Sequence, residues 1–330
     1  MYLYYFNKKR VVIIICYLIV ILLTGAYRYY KINVKSINNG HSNIPNKHSQ
    51  NILDGCYHIY IDVGTNIGVQ IRKLFEPEKY PNAYVHSIFN SQFGNINERR
   101  KSTSENGRVV CAIGFEPNSH HTSYLRTVES SYNRCGWRVK ILTETAASDR
   151  NGTTQFYTDE AYRNMEWGGG ILPPNINNVA VDTIAVDNIA VDQLNIMKKA
   201  VFREVTLIRL SDFLKNIVGT RKLPVPPSNS NPPKVIMKMD IEGSEVDVIP
   251  DLIFTGGLQY INNIMIEWHD RLEKLYPRRT AQQQLRSMIK SLSEYSETMR
   301  LHGSKFDFNM MNLDDETYYT SKFDLPKCES

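Results

Sequence analysis

Hydrophobic and polar positions divide the chain into three regions. A run without a charged residue covers positions 11–27, a polar stretch rich in Asn, Ser, His and Lys follows to about position 50, and short apolar segments then alternate with polar turns and amphipathic stretches. Such alternation is typical of an α/β domain with a mostly parallel, doubly wound sheet. We therefore expect an export or membrane segment, a stalk and one folded domain.

The first apolar run predicts a transmembrane signal anchor. Its 17 residues lie at the lower limit for spanning a membrane, and Lys8, Lys9 and Arg10 precede it. This basic cluster favours a cytosolic N-terminus, hence a single-pass type II protein with its body in the ER or Golgi lumen. A cleaved signal peptide stays open as the alternative, because Thr24-Gly25-Ala26 offers small residues before a cut, and the protein would then be secreted.

The expected domain boundaries are a tail at 1–10, the anchor at 11–27, a stalk at 28–50, the folded domain at 51–323 and a C-terminal tail at 324–330. Two stretches are long for connections in such a fold and are interpreted as insertions near 76–108 and 160–203. The first predicts a lid or a disordered excursion. The second includes three related Val/Ile-Ala-Val-Asp units between Val179 and Asp192, which we interpret as a local duplication rather than a calcium-binding array.

Within the folded domain, the pattern predicts strands at 57–62, 109–115, 138–143, 234–240 and 263–269, and a helix at 69–75. Several of these strands end in acidic residues, glycine or histidine. Since ligands of doubly wound sheets bind beyond the carboxyl ends of the strands, these residues are expected to converge on one site.

The first two strand ends have the chemistry of a nucleotide-type site. Asp62-Val-Gly-Thr-Asn-Ile-Gly68 is a glycine-containing turn between a strand and a helix, which lets a ligand approach the backbone. Its spacing is not that of the G-x-G-x-x-G fingerprint, which disfavours a nicotinamide oxidoreductase. Glu116 ends the next strand, where its carboxylate could accept both hydrogen bonds of a ribose diol or cap the following helix.

The later strand ends offer candidate catalytic groups. Lys238 and Asp240 alternate to one face of an apolar strand, where charges are costly unless they are paired or face a ligand. Asp240 and His269 are our candidates for a general base. Oxygen ligands for a metal could come from Asp240, Glu242 and Glu267, but no ligand spacing supports a metal, and none is assigned.

Five segments together resemble the FkbM-type methyltransferases. These are Tyr60-Ile-Asp-Val-Gly-Thr-Asn-Ile-Gly68, Gly114-Phe-Glu-Pro117, Ala147-Ser-Asp149, Lys238-Met-Asp-Ile-Glu-Gly-Ser-Glu245 and Ile266-Glu-Trp-His269. The resemblance implies a Rossmann-like class I fold, S-adenosylmethionine as cofactor and O-methylation of a hydroxyl on a glycan, lipid or other small molecule. It implies the following cofactor-binding residues: Asp62, Gly64, Asn66, Gly68, Glu116 and Asp149. It also implies that Asp240 lies close to the transferred methyl group, with Lys238 and Glu242 around it.

Composition and charge narrow the functions further. The chain is 42% hydrophobic and 22% charged, which excludes collagen-like and wholly disordered classes, and its net charge of +5 gives no nucleic-acid footprint. The resemblance implies a small-molecule or glycan acceptor as partner, and the predicted N-terminal helix implies a membrane. A catalytically silent methyltransferase-fold domain that only binds ligands at a membrane stays open as the alternative function.

Cysteines and one sequon bear on the compartment. Cys16 lies in the apolar run, and the other four cysteines allow three pairings, although the strand residue Cys111 is expected to be a buried thiol. Asn151-Gly-Thr153 is a candidate glycosylation site.

Overall fold

The structure is a computed structural model that describes residues 51–103, 107–159, 170–171, 200–226, 231–269, 279–301, 307–313 and 324–328. The predicted anchor and stalk lie outside the described residues, as do the Val/Ile-Ala-Val-Asp units and most of the second predicted insertion. Among the helices that the structure describes, none has the length and apolarity needed to cross a membrane.

The described strands form two sheets. The strands are β1 Cys56–Val63, β2 Arg108–Glu116, β3 Arg138–Thr143, β4 Thr145–Ser148, β5 Gly152–Asp159, β6 Gly170–Ile171, β7 Ala200–Arg209, β8 Val235–Met239, β9 Asn263–Ile266 and β10 Asn309–Asn312. The larger sheet has the order β10-β9-β8-β1-β2-β3, and all its pairings are parallel. The smaller sheet has the order β4-β7-β5-β6, with β4 and β7 parallel and the other pairs antiparallel.

Helices cover both faces of the larger sheet. They are α1 Val69–Phe75, α2 Val85–Phe93, α3 Ile96–Arg99, α4 Thr122–Arg134, α5 Leu210–Phe213, α6 Glu245–Phe254 and α7 Arg279–Leu301. Alternate residues of β1 point to opposite faces, so Ile59 and Ile61 join the apolar cluster of α5, α6 and α7, whereas Tyr60 joins that of α1, α2 and α4. This confirms the expected α/β fold with a mostly parallel sheet.

Strand order reverses between β1 and β8. The chain builds the sheet outward from β1 through β2 to β3 and then returns to the other side of β1, where β8 pairs with it. The connections after β1 and β8 therefore lead to opposite sides of the sheet, and doubly wound sheets bind ligands at such a switch point.

The predicted strands and the helix at 69–75 are present, with small shifts at their ends. The strand predicted at 263–269 is shorter than expected, since β9 ends at Ile266, and Glu267 and His269 lie in the loop beyond it. The strands of the smaller sheet, β4 to β7, and β10 of the larger sheet were not predicted.

The stretch near 76–108 is helical where the structure describes it, and the expectation of an open lid or disordered excursion was wrong. It contains a 3-10 turn at Pro77–Lys79 followed by α2 and α3. The rings of Phe89 and Phe93 are buried, and the almost fully buried Arg99 donates to Asn90 Oδ1 at 2.8 Å. Buried apolar and hydrogen-bonded polar groups make this segment part of the core.

The structure pairs all four cysteines of the folded domain. Cys56 is bonded to Cys111, so the expectation of a buried thiol at Cys111 was wrong, and Cys135 is bonded to Cys328. The second bond fixes the segment predicted as a C-terminal tail, whose backbone also accepts hydrogen bonds from Arg72 and Ser131. Residues 324–328 therefore belong to the folded domain.

Candidate functional site

A cleft of about 650 Å³, including its open mouth, lies at the carboxyl edge of the larger sheet. Its walls come from the loops after β1, β2 and β8 and from the inner side of the smaller sheet. Its lining residues are Gly64, Asn66, Phe115, Glu116, Pro117, Asn118, His121, Ala146, Ala147, Phe156, Gly170, Ile171, Asp240, Ile241, Glu242 and Ser244. One part of the lining is therefore apolar and another part is acidic.

The turn after β1 is in close backbone contact with the loop after β8. Gly64 has φ +86°, and a Cβ atom placed on it would lie 1.7 Å from the carbonyl oxygen of Asp240. Only glycine satisfies both the backbone angle and this contact. Gly68 also has a positive φ and packs against Leu125 of α4, so its role is to pack α1 closely rather than to line the cleft.

Glu116 is held at the end of β2 by two backbone donors. The N–H of Asn66 donates to Oε2 at 2.6 Å, and the N–H of Asn118 donates to Oε1 at 2.7 Å. A carboxylate oxygen has two acceptor positions, so each oxygen retains one for a ligand in the cleft. Burial raises the pKa of Glu116 to about 8, although both backbone hydrogen bonds lower it.

Asp62 lies beneath the same turn. Its side chain is fully buried, and neither carboxylate oxygen has a hydrogen-bond partner in the part of the chain that the structure describes. Burial raises the pKa of Asp62 to about 7; Lys238, its neighbour in register on β8, lowers the pKa, and the charge of Asp240 raises it. Such a group is stabilised by any cationic or hydrogen-bond-donating ligand group that reaches it.

Lys238 connects the acidic groups at the end of β8. Its ammonium contacts Asp240 Oδ2 at 2.5 Å and lies 3.7 Å from Glu267 Oε2. Burial lowers the pKa of Lys238, but the charges of Asp240 and Asp62 outweigh this effect, and the pKa is raised. The ammonium leaves Asp240 Oδ1 directed toward His269.

His269 lies among carboxylates on both sides of its ring. Its Nδ1 is 3.1 Å from Oε1 of the fully buried Glu245, which also accepts the N–H of Ile241 at 3.0 Å. Burial lowers the pKa of His269, but the hydrogen bond to Glu245 and the charges of Glu245, Glu242 and Asp240 raise it to about 9. The position that Nε2 faces therefore favours a positive charge.

Comparison of the chain with protein-family models, curated proteins and solved structures found no match. The assignment of a function therefore depends on the geometry of this cleft and on the sequence motifs.

The structure brings most of the predicted site residues to one edge of the sheet. Gly64, Asn66, Glu116, Asp240 and Glu242 line the cleft, while Asp62, Lys238 and His269 support or adjoin its floor.

Asp149 and Asn151 lie elsewhere. The carboxylate of Asp149 accepts hydrogen bonds from the Ser148 hydroxyl and from Arg150, and the residue is not part of the cleft lining. The exposed Asn151 donates to Asp212 Oδ2 at 3.0 Å.

Sequence reasoning missed two parts of the site. Glu245 entered the sequence analysis only as part of a motif, although as the first residue of α6 it binds the ring of His269. Phe156 and Ile171 come from the smaller sheet and form the apolar side of the cleft. Neither segment was predicted as a strand, and β6 has only two residues, too few for a sequence pattern.

Proposed function

We propose that the chain is an S-adenosylmethionine-dependent methyltransferase that methylates a hydroxyl group on a glycan, lipid or other small molecule. The observation on which the proposal depends is the geometry of Glu116. Its two backbone donors leave one acceptor position on each oxygen directed to the cleft, which suits the adjacent hydroxyls of a ribose.

The rest of the cleft suits the other parts of the cofactor. Phe115, Phe156 and Ile171, together with the alanines of β4, offer an apolar surface for a planar base next to Glu116. Asp62 and the close turn at Gly64 would lie toward the amino-acid end of the cofactor, where an ammonium group would satisfy the buried carboxylate. S-adenosylmethionine, when bound, supplies a methyl group on a positively charged sulfur.

The acidic floor of the cleft would handle the acceptor. A hydroxyl loses its proton as its oxygen attacks the methyl carbon, so an adjacent carboxylate or histidine assists the reaction. Asp240 is the stronger candidate, because Lys238 holds one of its oxygens and the other remains directed into the site. His269 is the weaker candidate, because a group with a pKa of about 9 already holds a proton at neutral pH.

Binding and turnover test this proposal separately. Calorimetry of the purified full-length chain with S-adenosylmethionine should show one binding site, and radiolabelled methyl groups should appear in glycan or lipid fractions incubated with the enzyme and cofactor. Binding without transfer to any fraction would favour the silent binding domain instead. Absence of cofactor binding would refute the methyltransferase.

We propose a secretory compartment for the folded domain. Two disulfide bonds are typical of an oxidising environment, and the sequon at Asn151 is exposed. Removal of N-glycans from the protein expressed in eukaryotic cells should lower its mass, and an Asn151→Gln variant should lose this shift. Fully reduced cysteines in protein isolated under thiol-trapping conditions would refute this placement.

A further inference from the structure

Three side chains at the floor of the cleft have the arrangement of ligands around one ion. His269 Nε2 lies 3.4 Å from Asp240 Oδ1 and 3.6 Å from Glu242 Oε2, and one ligand atom from each residue lies within 4.8 Å of the others. These separations exceed those of ordinary N–H···O hydrogen bonds, about 2.7–3.2 Å. Two ligand atoms that each lie about 2.1 Å from one ion are about 3.0–3.4 Å apart, so the two distances from His269 Nε2 are close to those of a metal site.

The imidazole is already oriented for such a role. Glu245 is fully buried, and its Oε1 lies 3.1 Å from Nδ1 of His269, which turns Nε2 toward Asp240 and Glu242. Histidine ligands of metals commonly donate their other N–H to a carboxylate, which fixes both the tautomer and the ring. Glu245 would be that outer partner.

A separate observation concerns the buried acid beneath the floor. Asp62 is fully buried, has no hydrogen-bond partner for either oxygen within the described ranges, and interacts electrostatically with Asp240. A cation bound at Asp240 would stabilise this buried carboxyl group.

We propose that Asp240, Glu242 and His269 bind a divalent metal cation at the floor of the cleft. Two carboxylates and one imidazole suit a first-row ion such as Mn²⁺, which would take the place of the Nε2 proton of His269 as it binds. Three protein ligands leave open positions for an acceptor hydroxyl. The ion would bind the acceptor oxygen and lower its pKa, so that the hydroxyl proton passes to solvent, and Asp240 would then serve as a ligand in place of its role as base. This role of the ion rests on the proposed methyl transfer, whereas the binding site itself does not.

Mn²⁺ binding to the full-length chain, after removal of metals with a chelator, tests the site. Free Mn²⁺ has a strong electron paramagnetic resonance signal, so its loss on titration gives the stoichiometry and affinity. We expect one equivalent to bind, and binding to weaken at least about tenfold in Glu242→Gln and in His269→Gln. Two matched controls should retain wild-type affinity. One is His120→Gln, at an exposed histidine, and the other is Glu129→Gln, at a carboxylate on α4 that binds Lys140.

A second readout needs no variant. Electron spin-echo measurements on the bound Mn²⁺ should show coupling to an imidazole nitrogen. Absence of Mn²⁺ binding, absence of nitrogen coupling, or equal affinity in the ligand variants would overturn the metal site.

The outcome can be separated from that of the proposed function. Cofactor binding by calorimetry does not require the metal ligands and is measured on the same samples. Methyl transfer that persists in chelator would overturn the metal's role while the methyltransferase assignment stands. Mn²⁺ binding without cofactor binding would support the site and refute the assignment.

Discussion

Replacement of Glu116 by glutamine is the sharpest test of the cofactor subsite, because it changes one oxygen to an NH₂ group with almost no change in size. In the wild type, both carboxylate oxygens accept a backbone N–H, from Asn66 and Asn118. In Glu116→Gln, the amide oxygen can accept only one of these donors, and the NH₂ group faces the other. The variant thus loses one internal hydrogen bond and one of the two acceptor positions available to a ribose.

The expected loss follows from the hydrogen bonds involved. A hydrogen bond to a charged group contributes about 1.5–3 kcal/mol. In the variant, the ligand would lose one such bond, and its second hydrogen bond would be to a neutral amide oxygen. We therefore expect binding of S-adenosylmethionine to weaken by about 3 kcal/mol, which corresponds to about 100-fold in Kd.

The pH dependence provides a second measure of the same change. The pKa of Glu116 in the unliganded cleft is raised to about 8, so below this pH the carboxyl group must lose a proton before it accepts two hydroxyls. Wild-type affinity should therefore increase with pH between about 6 and 8, by up to about tenfold per unit, since one pKa unit corresponds to about 1.4 kcal/mol. The glutamine variant lacks this contribution. The titration of the ligand's own amino group affects both proteins equally, so subtraction of the variant's slope of log affinity against pH from that of the wild type removes it.

Isothermal titration calorimetry at several pH values is the assay, and circular dichroism checks that the variant is folded. Glu129→Gln is the matched control, since this carboxylate also accepts a backbone N–H, from Ile141, but lies on α4 away from the cleft lining. An unchanged Kd in Glu116→Gln would refute the subsite, and equal pH slopes in variant and wild type would refute the reasoning from burial.

Three further predictions concern the turn, the buried acid and the disulfide bonds. Gly64→Ala should abolish cofactor binding and lower the melting temperature more than Gly136→Ala does. Both glycines have a positive φ, but only a Cβ at position 64 would collide with backbone atoms. Equal effects of the two variants in thermal unfolding would contradict this prediction. Asp62→Asn should raise the free energy of unfolding of the unliganded protein at pH 8 by up to about 4 kcal/mol and should weaken cofactor binding. The pKa of Asp62 is about 7 in the fold against 3.8 ordinarily. Ionisation of Asp62 therefore makes the wild type progressively less stable as pH rises from about 4 to 7. Denaturant titrations at pH 4 and pH 8 measure the difference in free energy of unfolding between the variant and the wild type. This difference should favour the variant more at pH 8 than at pH 4, and the opposite order would contradict the prediction. Replacement of Cys135 and Cys328 by serine should cost about 5 kcal/mol on a chain-entropy basis, because the bond closes a loop with a sequence separation of 193, and a loss below about 1 kcal/mol in oxidised protein would show that the denatured state is not constrained in this way.

Local patterns predicted much of the fold and of the site. β1 and β2 are buried on both faces, so they read as continuous apolar runs, and each ends where a glycine or a proline interrupts the pattern. Since parallel strands present their carboxyl ends at one edge, the acidic residues after them could be placed together before any coordinates were known. Glu116 and Asp240 confirm that expectation, since both line the cleft.

The remaining features depend on contacts that are distant in sequence. The partner of Cys111 is 55 residues away, and the chain segments that bring the two together have no local signal of pairing. β4 and β7 pair with each other across about 60 residues, so neither was recognised as part of a second sheet. The role of Glu245 was not predicted, because its hydrogen bond to His269 depends on the end of β9, which the pattern placed three residues too late.

The contact between Gly64 and the carbonyl of Asp240 has a mechanical consequence. The first residue belongs to the loop proposed to hold the methyl donor, and the second to the loop proposed to hold the acceptor. Since the two loops touch through backbone atoms, neither can slide toward the other, and any shift of one is transmitted directly to its neighbour. The distance between donor and acceptor would then be set by main-chain contact and not by flexible side chains, and a displacement as small as one methyl group would alter the alignment on which an in-line transfer depends.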